Sequence, residues 1–545
     1  MLARVRSGAV TGIDAVVVEV EIDMSLGLPY FNVVGLPEGA VKESKVRVIS
    51  ALKNSGFDLP QKRITVNLAP ADIRKEGPAF ELPIALGVLV SARLLGDEPL
   101  NEWLFAGELS LDGAVKPIRG VLPLAVLARD LGLRGVMIPA ENADEAALVD
   151  RIEVLPIAHL REAVEHLTGD KPLTPHPRKT NVGVHARVPA GTSANGSTVD
   201  MADVRGQEDV KAAMEAAAAG GHNLLMCGPP GSGKTMLARR LPGILPSMTF
   251  AEALEVTKIF SVLGMLPEDR SLLTERPFRS PHHTISDAGL VGGGPLGRPG
   301  ELSMAHNGVL FLDELPEFRK NVLEVLRQPL EEGVIHLARA SHHLAYPCRV
   351  MLVAAMNPCP CGWFNVHGRT CSCRDAKVQE YHQRVSGPLM DRIDLTIQVR
   401  PVAQEPLMNL AQTGKPTSWY RSRVEAARDR QRHRLKGTGI TCNAQMGPRE
   451  LREHCRLSRL ALTRIRESVD KHGLSARAHD RIIKVARTLA DLNGREEIGD
   501  DDLHLATDFR MLDRRGWLSG GLYGTDAMPS RDRERTTPRL RRSER

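Results

Sequence analysis

The sequence of 545 residues lacks any long apolar run. A membrane-spanning helix needs roughly 18 or more apolar residues in succession, and no segment of this chain reaches that length. Arg4 and Arg6 form a basic start, but Thr11, Gly12 and Asp14 interrupt the apolar stretch that a signal peptide would need. The sequence therefore predicts a cytoplasmic protein that does not enter a membrane.

Aromatic residues and net charge are also scarce. Aromatic residues make up 4% of the chain, which argues against a surface that stacks many nucleic-acid bases. The net charge is +6, and the tail 516–545 contributes seven arginines against four acidic residues. Because the body carries little excess charge, any nucleic-acid contact is expected in local loops. The tail is either a solvated, disordered end or a weak, salt-sensitive DNA contact.

The strongest motif is a glycine-rich loop that follows an apolar segment, 223–227, and precedes a helical one. It fits the pattern G-x-x-x-x-G-K-[ST], in which backbone N–H groups wrap phosphates, the lysine reaches the β- and γ-phosphates, and the hydroxyl reaches Mg²⁺. A chance glycine loop would not be expected in this strand–loop–helix context. The sequence therefore predicts that ATP is bound by Gly228, Pro229, Pro230, Gly231, Ser232, Gly233, Lys234 and Thr235.

Two further apolar segments end in polar residues that suit ATP hydrolysis. The segment 309–312 is followed by Asp313 and Glu314. We assign Asp313 to Mg²⁺ binding and Glu314 to the catalytic base that activates water. The alternative is a strand that ends in a solvated acidic turn. Asn357 follows the segment 350–355 and could orient the attacking water, although an asparagine before a proline is also a common turn former.

The pattern of strands and helices divides the chain into segments. Val18, Val20 and Ile22 alternate with acidic residues, as in a strand with one buried face. The stretch 170–198 lacks periodicity and is rich in Pro, Gly and Ser, as in a linker. We predict an α/β protein with an N-terminal α/β domain (1–169), a linker (170–198), a P-loop core with a parallel sheet (199–400), a helical lid (401–515) and an Arg-rich disordered tail (516–545).

Two strings around the acidic pair carry a specific resemblance. They are RSPHHTISDAGL at 279–290 and PGELSMAHNGVLFLDE at 299–314. Together with VRGQ at 204–207, they resemble the Mg-chelatase-like AAA+ family, and the likeness extends over about residues 1–515 apart from the linker. This family groups with Mg-chelatase I subunits and minichromosome maintenance helicases, whose rings hydrolyse ATP at subunit interfaces. The resemblance implies a homo-oligomeric ring, expected to be a hexamer.

The same resemblance implies roles for three more residues. Asn357 resembles sensor 1, Arg392 resembles the arginine finger that reaches a neighbour's site, and Arg477 resembles sensor 2. A guanidinium beside the γ-phosphate stabilises the charge of the transition state. From the residues alone, a salt bridge on a helix surface would be the simpler interpretation of each arginine. If Arg392 acts in trans, a monomer should be nearly inactive.

Four of the eight cysteines lie close together in the sequence. Cys359 and Cys361 are followed by Cys371 and Cys373, and four thiolates suit a tetrahedral, structural Zn²⁺. The C-x-C spacing is tighter than the common C-x₂-C, and His367 could replace one ligand. The alternative is a surface loop of reduced cysteines.

Two loops are candidates for gripping DNA. The segment 334–347 is predicted to be a hairpin with Arg339, His342 and His343 near its tip, and the Gly/Pro-rich insertion 276–300 contains Arg279. Related helicase rings grip DNA phosphates with such loops. The alternative is that both loops pack against neighbouring subunits.

The N-terminal domain resembles the proteolytic domain of Lon protease in the segments 106–118 and 136–142. Lon cleaves peptides with a Ser–Lys dyad. Here Ala79 stands where the resemblance places the serine, and Leu122 stands at the lysine position. Without a nucleophile and its base, covalent catalysis is absent, so a scaffold or DNA-binding cap is expected.

The resemblance implies an ATP- and Mg²⁺-dependent DNA helicase or translocase that promotes branch migration in recombination or natural transformation. The alternative is a Mg-chelatase-type motor that remodels a protein partner. The chain lacks the D-x-S-x-S motif of the chelatase partner subunit, so it could not complete that reaction alone. Stimulation of ATP hydrolysis by single-stranded DNA would distinguish the two.

Overall fold

The computed structural model describes residues 2–36, 39–178, 199–267, 270–294, 297–338, 343–366, 368–401, 414–457, 461, 463 and 476–510. Most of the predicted linker and the whole predicted tail lie outside these ranges. Arg339, His342 and His367 lie outside them as well. None of the helices in the described part is long and apolar enough to cross a membrane.

The N-terminal domain is built on two sheets. The first has the order β1-β2-β4-β3, with β3 parallel to β4 and the other pairs antiparallel, and the second is the parallel sheet β5-β8-β9. The strands are β1 (Leu2–Thr11), β2 (Asp14–Ser25), β3 (Tyr30–Val34), β4 (Arg63–Ala69), β5 (Trp103–Phe105), β6 (Glu108–Leu109), β7 (Val115–Lys116), β8 (Gly135–Pro139) and β9 (Glu153–Ile157). The helices are α1 (Gly39–Asn54), α2 (Glu81–Ser91), α3 (Val121–Asp130), α4 (Ala143–Ala146) and α5 (Leu160–Thr168).

The predicted alternation in β2 is confirmed, because Val18, Val20 and Ile22 are all fully buried. They face α2, which is buried along its whole length and packs on β1 and β2. Gly87 in α2 permits this close approach, since a methyl group there would lie 2.1 Å from the Cδ1 atom of Ile22. The N-terminal core therefore lies between this helix and the four-stranded sheet.

The core of the chain is a five-stranded parallel sheet with the order β11-β14-β17-β10-β18. These strands are β10 (Leu224–Cys227), β11 (Phe278–Arg279), β14 (Val309–Leu312), β17 (Met351–Met356) and β18 (Leu395–Gln398). Two antiparallel pairs lie outside the sheet, namely β12 (Gly292–Gly293) with β13 (Arg298–Pro299), and β15 (Val334–Ala338) with β16 (His343–Pro347). The core helices are α6 (Glu208–Gly220), α7 (Lys234–Ile244), α8 (Phe250–Leu263), α9 (Asp287–Val291), α10 (Glu301–Met304), α11 (Lys320–Glu324), α12 (Arg327–Glu332), α13 (Asp375–Gln383) and α14 (Gly387–Met390).

The described C-terminal part is helical, as predicted. It contains α15 (Thr417–Arg434), α16 (Pro448–His454), α17 (Ala476–Leu492) and α18 (Asp500–Asp508). α15 and α17 both pack on α6. Arg428 of α15 donates to the carbonyl oxygens of Ala218 and Ala219 at 2.9 and 3.0 Å. These carbonyls end α6 and lack helical partners, so Arg428 caps that helix and fastens the lid to the core.

The N-terminal domain packs directly on the core. α3 lies against α8, and an apolar cluster runs through both, from Leu124 and Ala125 to Ala253 and Val256. The buried carboxylate of Glu145 accepts hydrogen bonds from the Leu122 amide and the Ser261 hydroxyl within this interface. Burial raises the pKa of Glu145. These three parts together confirm the predicted α/β fold, with a parallel-sheet core and a C-terminal helical lid.

Candidate nucleotide site and cysteine cluster

The glycine-rich loop joins β10 to α7, as the motif requires. Gly231 and Gly233 have φ angles of +77° and +91°, in the left-handed region that favours glycine. Lys234 is 8% exposed, and its ammonium group donates to the carbonyl oxygens of Gly228 at 2.8 Å and Pro229 at 3.0 Å. Burial lowers the pKa of Lys234. The loop therefore holds a buried cation at the start of a helix, where amide groups and the helix dipole favour phosphate.

Thr235 and Asp313 meet beside this lysine. The Thr235 hydroxyl donates to the Oδ2 atom of Asp313 at 2.7 Å, and the Glu314 amide donates to its Oδ1 atom at 3.0 Å. Hydroxyl and carboxylate oxygens are the hard ligands that Mg²⁺ prefers. The two predicted Mg²⁺ ligands therefore fit the ion, since one hydroxyl and one carboxylate lie side by side.

Glu314 stands apart from the neighbouring aspartate. Its φ angle of +52° is unusual for a residue with a side chain, and its side chain is 56% exposed. The only ion pair of Glu314 among the described residues is with His283, whose Nδ1 atom lies 3.7 Å from Oε2. The sequence gives no separate indication of a role for His283 beyond its place in the string at 279–290.

Asn357 is brought to the P-loop by strand register. β10 and β17 pair in parallel so that Cys227 lies opposite Met356, and the residues that follow them emerge at the same edge of the sheet. The Lys234 ammonium consequently donates to the Oδ1 atom of Asn357 at 3.1 Å. The fold thus gathers Lys234, Thr235, Asp313 and Asn357 at one place, as expected from polar residues at the carboxyl ends of parallel strands.

Among the described residues, no hydrogen bond or ion pair joins Arg392 or Arg477 to this group. Arg392 precedes β18, and Asn223 precedes β10, the strand that pairs with β18 in parallel. The Asn223 side chain donates to the carbonyl oxygen of Arg392 at 2.8 Å. Arg392 therefore lies at the amino end of the sheet, about 13 Å or more from the loop at the carboxyl end, given about 3.3 Å per strand residue. Arg477 is exposed at the second position of α17.

The guanidinium group of Arg392 is engaged by its own chain. It is 8% exposed and donates to the carbonyl oxygens of Arg327 and Pro388, at 2.7 Å each, and to the carboxylate of Glu331. Glu331 is itself half exposed. A contact with a nucleotide would therefore require an exchange of the Glu331 carboxylate for a phosphate.

The four clustered cysteines converge in space. The sulfur atoms of Cys359, Cys361 and Cys371 lie 3.3 to 3.7 Å from one another, and all four sulfurs, with Cys373, lie within 4.8 Å. Four thiolates around Zn²⁺ at about 2.3 Å would have sulfurs about 3.8 Å apart. The described cysteines therefore fit a tetrahedral zinc site without a fourth ligand from elsewhere.

The two candidate DNA loops differ in what the structure shows. The predicted hairpin is confirmed as the antiparallel pair β15 and β16, with His343 at the first position of β16. Arg279 donates to both carboxylate oxygens of Glu301, at 2.6 and 2.8 Å. A DNA phosphate at Arg279 would have to compete with this bidentate ion pair.

The two positions that correspond to the Lon dyad are apolar and packed. Leu122 is fully buried on α3, and Ala79 packs against the same apolar cluster. The Leu122 amide, at the start of its helix, is capped by Glu145 at 2.9 Å. Neither position offers a hydroxyl or an amine.

The parallel sheet, the P-loop and the acidic pair define an AAA+ P-loop protein. Three family models match the chain in succession: subunit ChlI of Mg-chelatase at 20–142, magnesium chelatase subunit ChlI at 200–407, and its C-terminal model at 414–510. The chain belongs to the Mg-chelatase-like AAA+ family.

Similar proteins support this assignment. An uncharacterized protein of Mycobacterium tuberculosis is 42% identical over 515 residues, which cover 94% of this chain and 99% of that protein. Competence protein ComM of Haemophilus influenzae is 42% identical over 516 residues, which cover 94% of this chain and 98% of ComM. Lon protease 2 of Bacillus subtilis is 30% identical over 138 residues, which cover 25% of this chain and 24% of that protease.

Proposed function

We propose that this protein is an ATP-hydrolysing, ring-forming motor in the cytoplasm that moves DNA strands during recombination or natural transformation. The observation that carries the ATPase part is the meeting of Lys234, Thr235, Asp313 and Asn357 at one edge of the sheet. The name of the Haemophilus relative supports the role in competence. Branch migration is the form of strand movement that we propose.

The residues of the site divide the reaction among them. The loop amides and Lys234 bind the phosphates of ATP, and Thr235 and Asp313 would hold Mg²⁺, which neutralises phosphate charge when bound. Glu314 takes a proton from the attacking water, and Asn357 orients that water. The new bond joins the water oxygen to the γ-phosphorus. The bond from the γ-phosphorus to the bridging oxygen breaks, and ADP leaves with its electron pair.

The position of Arg392 supports the proposal of a ring. It lies at the opposite end of the sheet from its own P-loop, so we propose that it contacts the γ-phosphate bound to a neighbouring copy of the chain. Arg477 is proposed as sensor 2, at the exposed end of α17. A hexamer is the assembly we propose.

The DNA contact is proposed for the tip of the β15–β16 hairpin, at Arg339, His342 and His343, with Arg279 as a second contact. We expect single-stranded or forked DNA to raise steady-state ATP turnover several-fold, because DNA bound inside the proposed ring would contact the hairpins of successive subunits. Arg339→Ala combined with His342→Ala should abolish this stimulation and preserve turnover without DNA. The measurement is phosphate release against DNA concentration.

The matched control is Arg432→Ala, which removes a basic residue from the exposed surface of α15, where Arg432 pairs with Asp429 at 2.8 Å. This variant should retain full stimulation. If the unmodified protein hydrolysed ATP at the same high rate with and without DNA, the proposed ATPase would stand and the proposed DNA motor would be contradicted.

A Mg-chelatase-type motor is the second candidate, and the family models named for subunit ChlI favour it. Such a motor would act on a protein partner rather than on DNA. DNA-independent turnover that increases with an added chelatase partner subunit would support it over the DNA motor.

We also propose that Cys359, Cys361, Cys371 and Cys373 bind one structural Zn²⁺. The purified protein is expected to contain about one zinc ion per chain by elemental analysis, since four protein thiolates complete the tetrahedron. Cys371→Ser should reduce this content well below that of the control Cys348→Ser, which changes a buried cysteine outside the cluster. Equal zinc content in the two variants would contradict the site.

The N-terminal domain is proposed to be a non-proteolytic scaffold or cap. Ala79 and Leu122 supply neither nucleophile nor base, so no peptide cleavage is expected. The turn between β1 and β2 lies against the hairpin, since a methyl group at Gly12 would be 3.5 Å from the carbonyl oxygen of Ala345. This contact supports the proposal that the domain acts as a scaffold for the hairpin strands.

A further inference from the structure

The cysteine cluster lies beside the nucleotide site rather than at a remote surface. Cys359 comes two residues after Asn357, which contacts Lys234 at 3.1 Å. Cys359 is fully buried, and its sulfur accepts a hydrogen bond from the Phe364 amide at 3.3 Å. The first cysteine of the cluster is thus separated by one residue from Asn357, which is proposed to orient the attacking water.

A second contact joins the cluster to the P-loop itself. Gly362 follows Cys361 and has a φ angle of +84°. A methyl group at Gly362 would lie 2.4 Å from the Cδ atom and 2.7 Å from the Cγ atom of Pro230. The backbone of the cysteine loop therefore packs directly against the loop that binds phosphate.

The connection that carries the cysteines has little regular structure of its own. Between β17 and α13 the described residues form no helix or strand. Within it, the Gly362 amide donates to the Cys359 carbonyl oxygen at 2.9 Å. From α13, the Nε2 atom of His382 forms a hydrogen bond of 2.8 Å with the Pro358 carbonyl oxygen. A tetrahedral ion bonded to four thiolates would hold this irregular segment in one conformation, because irregular loops are otherwise ordered by few contacts.

We propose that the metal-bound cysteine cluster is a positioning site for ATP hydrolysis. It would fix the position of Asn357 relative to the P-loop residue Pro230. A divalent metal such as Zn²⁺ would fix the turn that carries Gly362, and that turn would set where the loop binds phosphate. Loss of the metal would shift both residues and slow turnover without removing any residue that contacts ATP. This inference rests on the proposed ATPase and is independent of DNA.

The test uses two glycines of the same connection in the full-length protein. Gly362→Ala places a methyl group against Pro230, whereas Gly368→Ala introduces the same left-handed strain, at φ +76°, with no atom within 4 Å. We expect Gly362→Ala to retain its zinc and, by circular dichroism, its fold, and to lose roughly 10- to 100-fold in kcat, as displacements of about 1 Å can cost. Gly368→Ala should stay close to the unmodified protein in zinc content, affinity for a fluorescent ATP analogue and kcat.

A second measurement removes the metal from the unmodified protein with a chelator, transfers the protein to a chelator-free buffer with excess Mg²⁺, and then restores Zn²⁺. Turnover should fall with zinc content and return with it, while circular dichroism shows the fold retained. Unchanged turnover and nucleotide affinity in Gly362→Ala would overturn the proposal, as would full turnover of zinc-free protein. If the unmodified protein hydrolyses no ATP, the proposed ATPase fails, and the affinities of the two glycine variants for the fluorescent analogue still decide the positioning role.

Discussion

Replacing Glu314 with glutamine is expected to lower kcat for ATP hydrolysis roughly 10²–10⁴-fold, the range that general-base catalysis supplies. Glutamine keeps the size and hydrogen-bonding capacity of the side chain but cannot accept a proton from water. The affinity for ATP should change little, because the binding contacts are proposed for Lys234, Thr235 and Asp313 rather than for Glu314. The measurement is single-turnover hydrolysis together with the affinity for a fluorescent ATP analogue.

Glu317→Gln is the matched control for this prediction. Glu317 lies in the turn that follows Glu314, is 43% exposed and pairs with Arg384 at 3.3 Å. The same chemical change there removes only a surface ion pair, which contributes about 0–1 kcal/mol, and turnover should remain. If Glu314→Gln retained the turnover of Glu317→Gln, the catalytic base would lie elsewhere.

Arg392→Ala is expected to lower kcat by about 10³–10⁵-fold, the range measured for arginine fingers in other phosphoryl-transfer enzymes. The expected loss is large because the guanidinium would neutralise charge that develops on the γ-phosphate. Removing the arginine also frees the half-exposed Glu331 and leaves the carbonyl oxygens of Arg327 and Pro388 without their donor, so the melting temperature should fall. kcat is therefore measured at a temperature at which circular dichroism shows the variant folded. Arg432→Ala, the surface control, should leave kcat unchanged.

Mixing two inactive variants separates a finger from a structural arginine. An interface whose P-loop comes from an Arg392→Ala subunit, and whose arginine comes from a Glu314→Gln subunit, has every catalytic group intact. In a randomly mixed ring with a head-to-tail interface, about one quarter of the interfaces have this composition. Turnover should therefore reappear in the mixture, and a mixture as inactive as its components would contradict the role of Arg392 as a finger in trans.

The candidate site was largely predictable because its signals are local. Lys234 and Thr235 follow one apolar strand, Asp313 and Glu314 follow another, and Asn357 follows a third. In a parallel sheet the carboxyl ends of neighbouring strands share one edge, so residues at three strand ends meet without further information. The confirmed contacts among Lys234, Asn357, Thr235 and Asp313 follow from this rule.

Side-chain partners from distant segments were not predictable in the same way. Arg279 is paired with Glu301, although the sequence suggested it as a contact for DNA. His283 reaches Glu314, and nothing in its own string indicates that contact. Each pairing depends on how loops of irregular backbone cross the sheet edge, which no periodic pattern encodes.

The sequence by itself determined the class of the protein, the residues of the candidate nucleotide site and the presence of four clustered thiols, because each rests on spacing along the chain. Only the tertiary structure decided that Arg392 lies at the far end of the sheet from its own P-loop and that the cysteine loop touches Pro230. The physical reason is that spacing sets local geometry, whereas contacts between distant segments arise from the packing of the whole fold. The contact between the cysteine loop and the candidate ATP site joins two such distant segments, so spacing along the chain did not predict it.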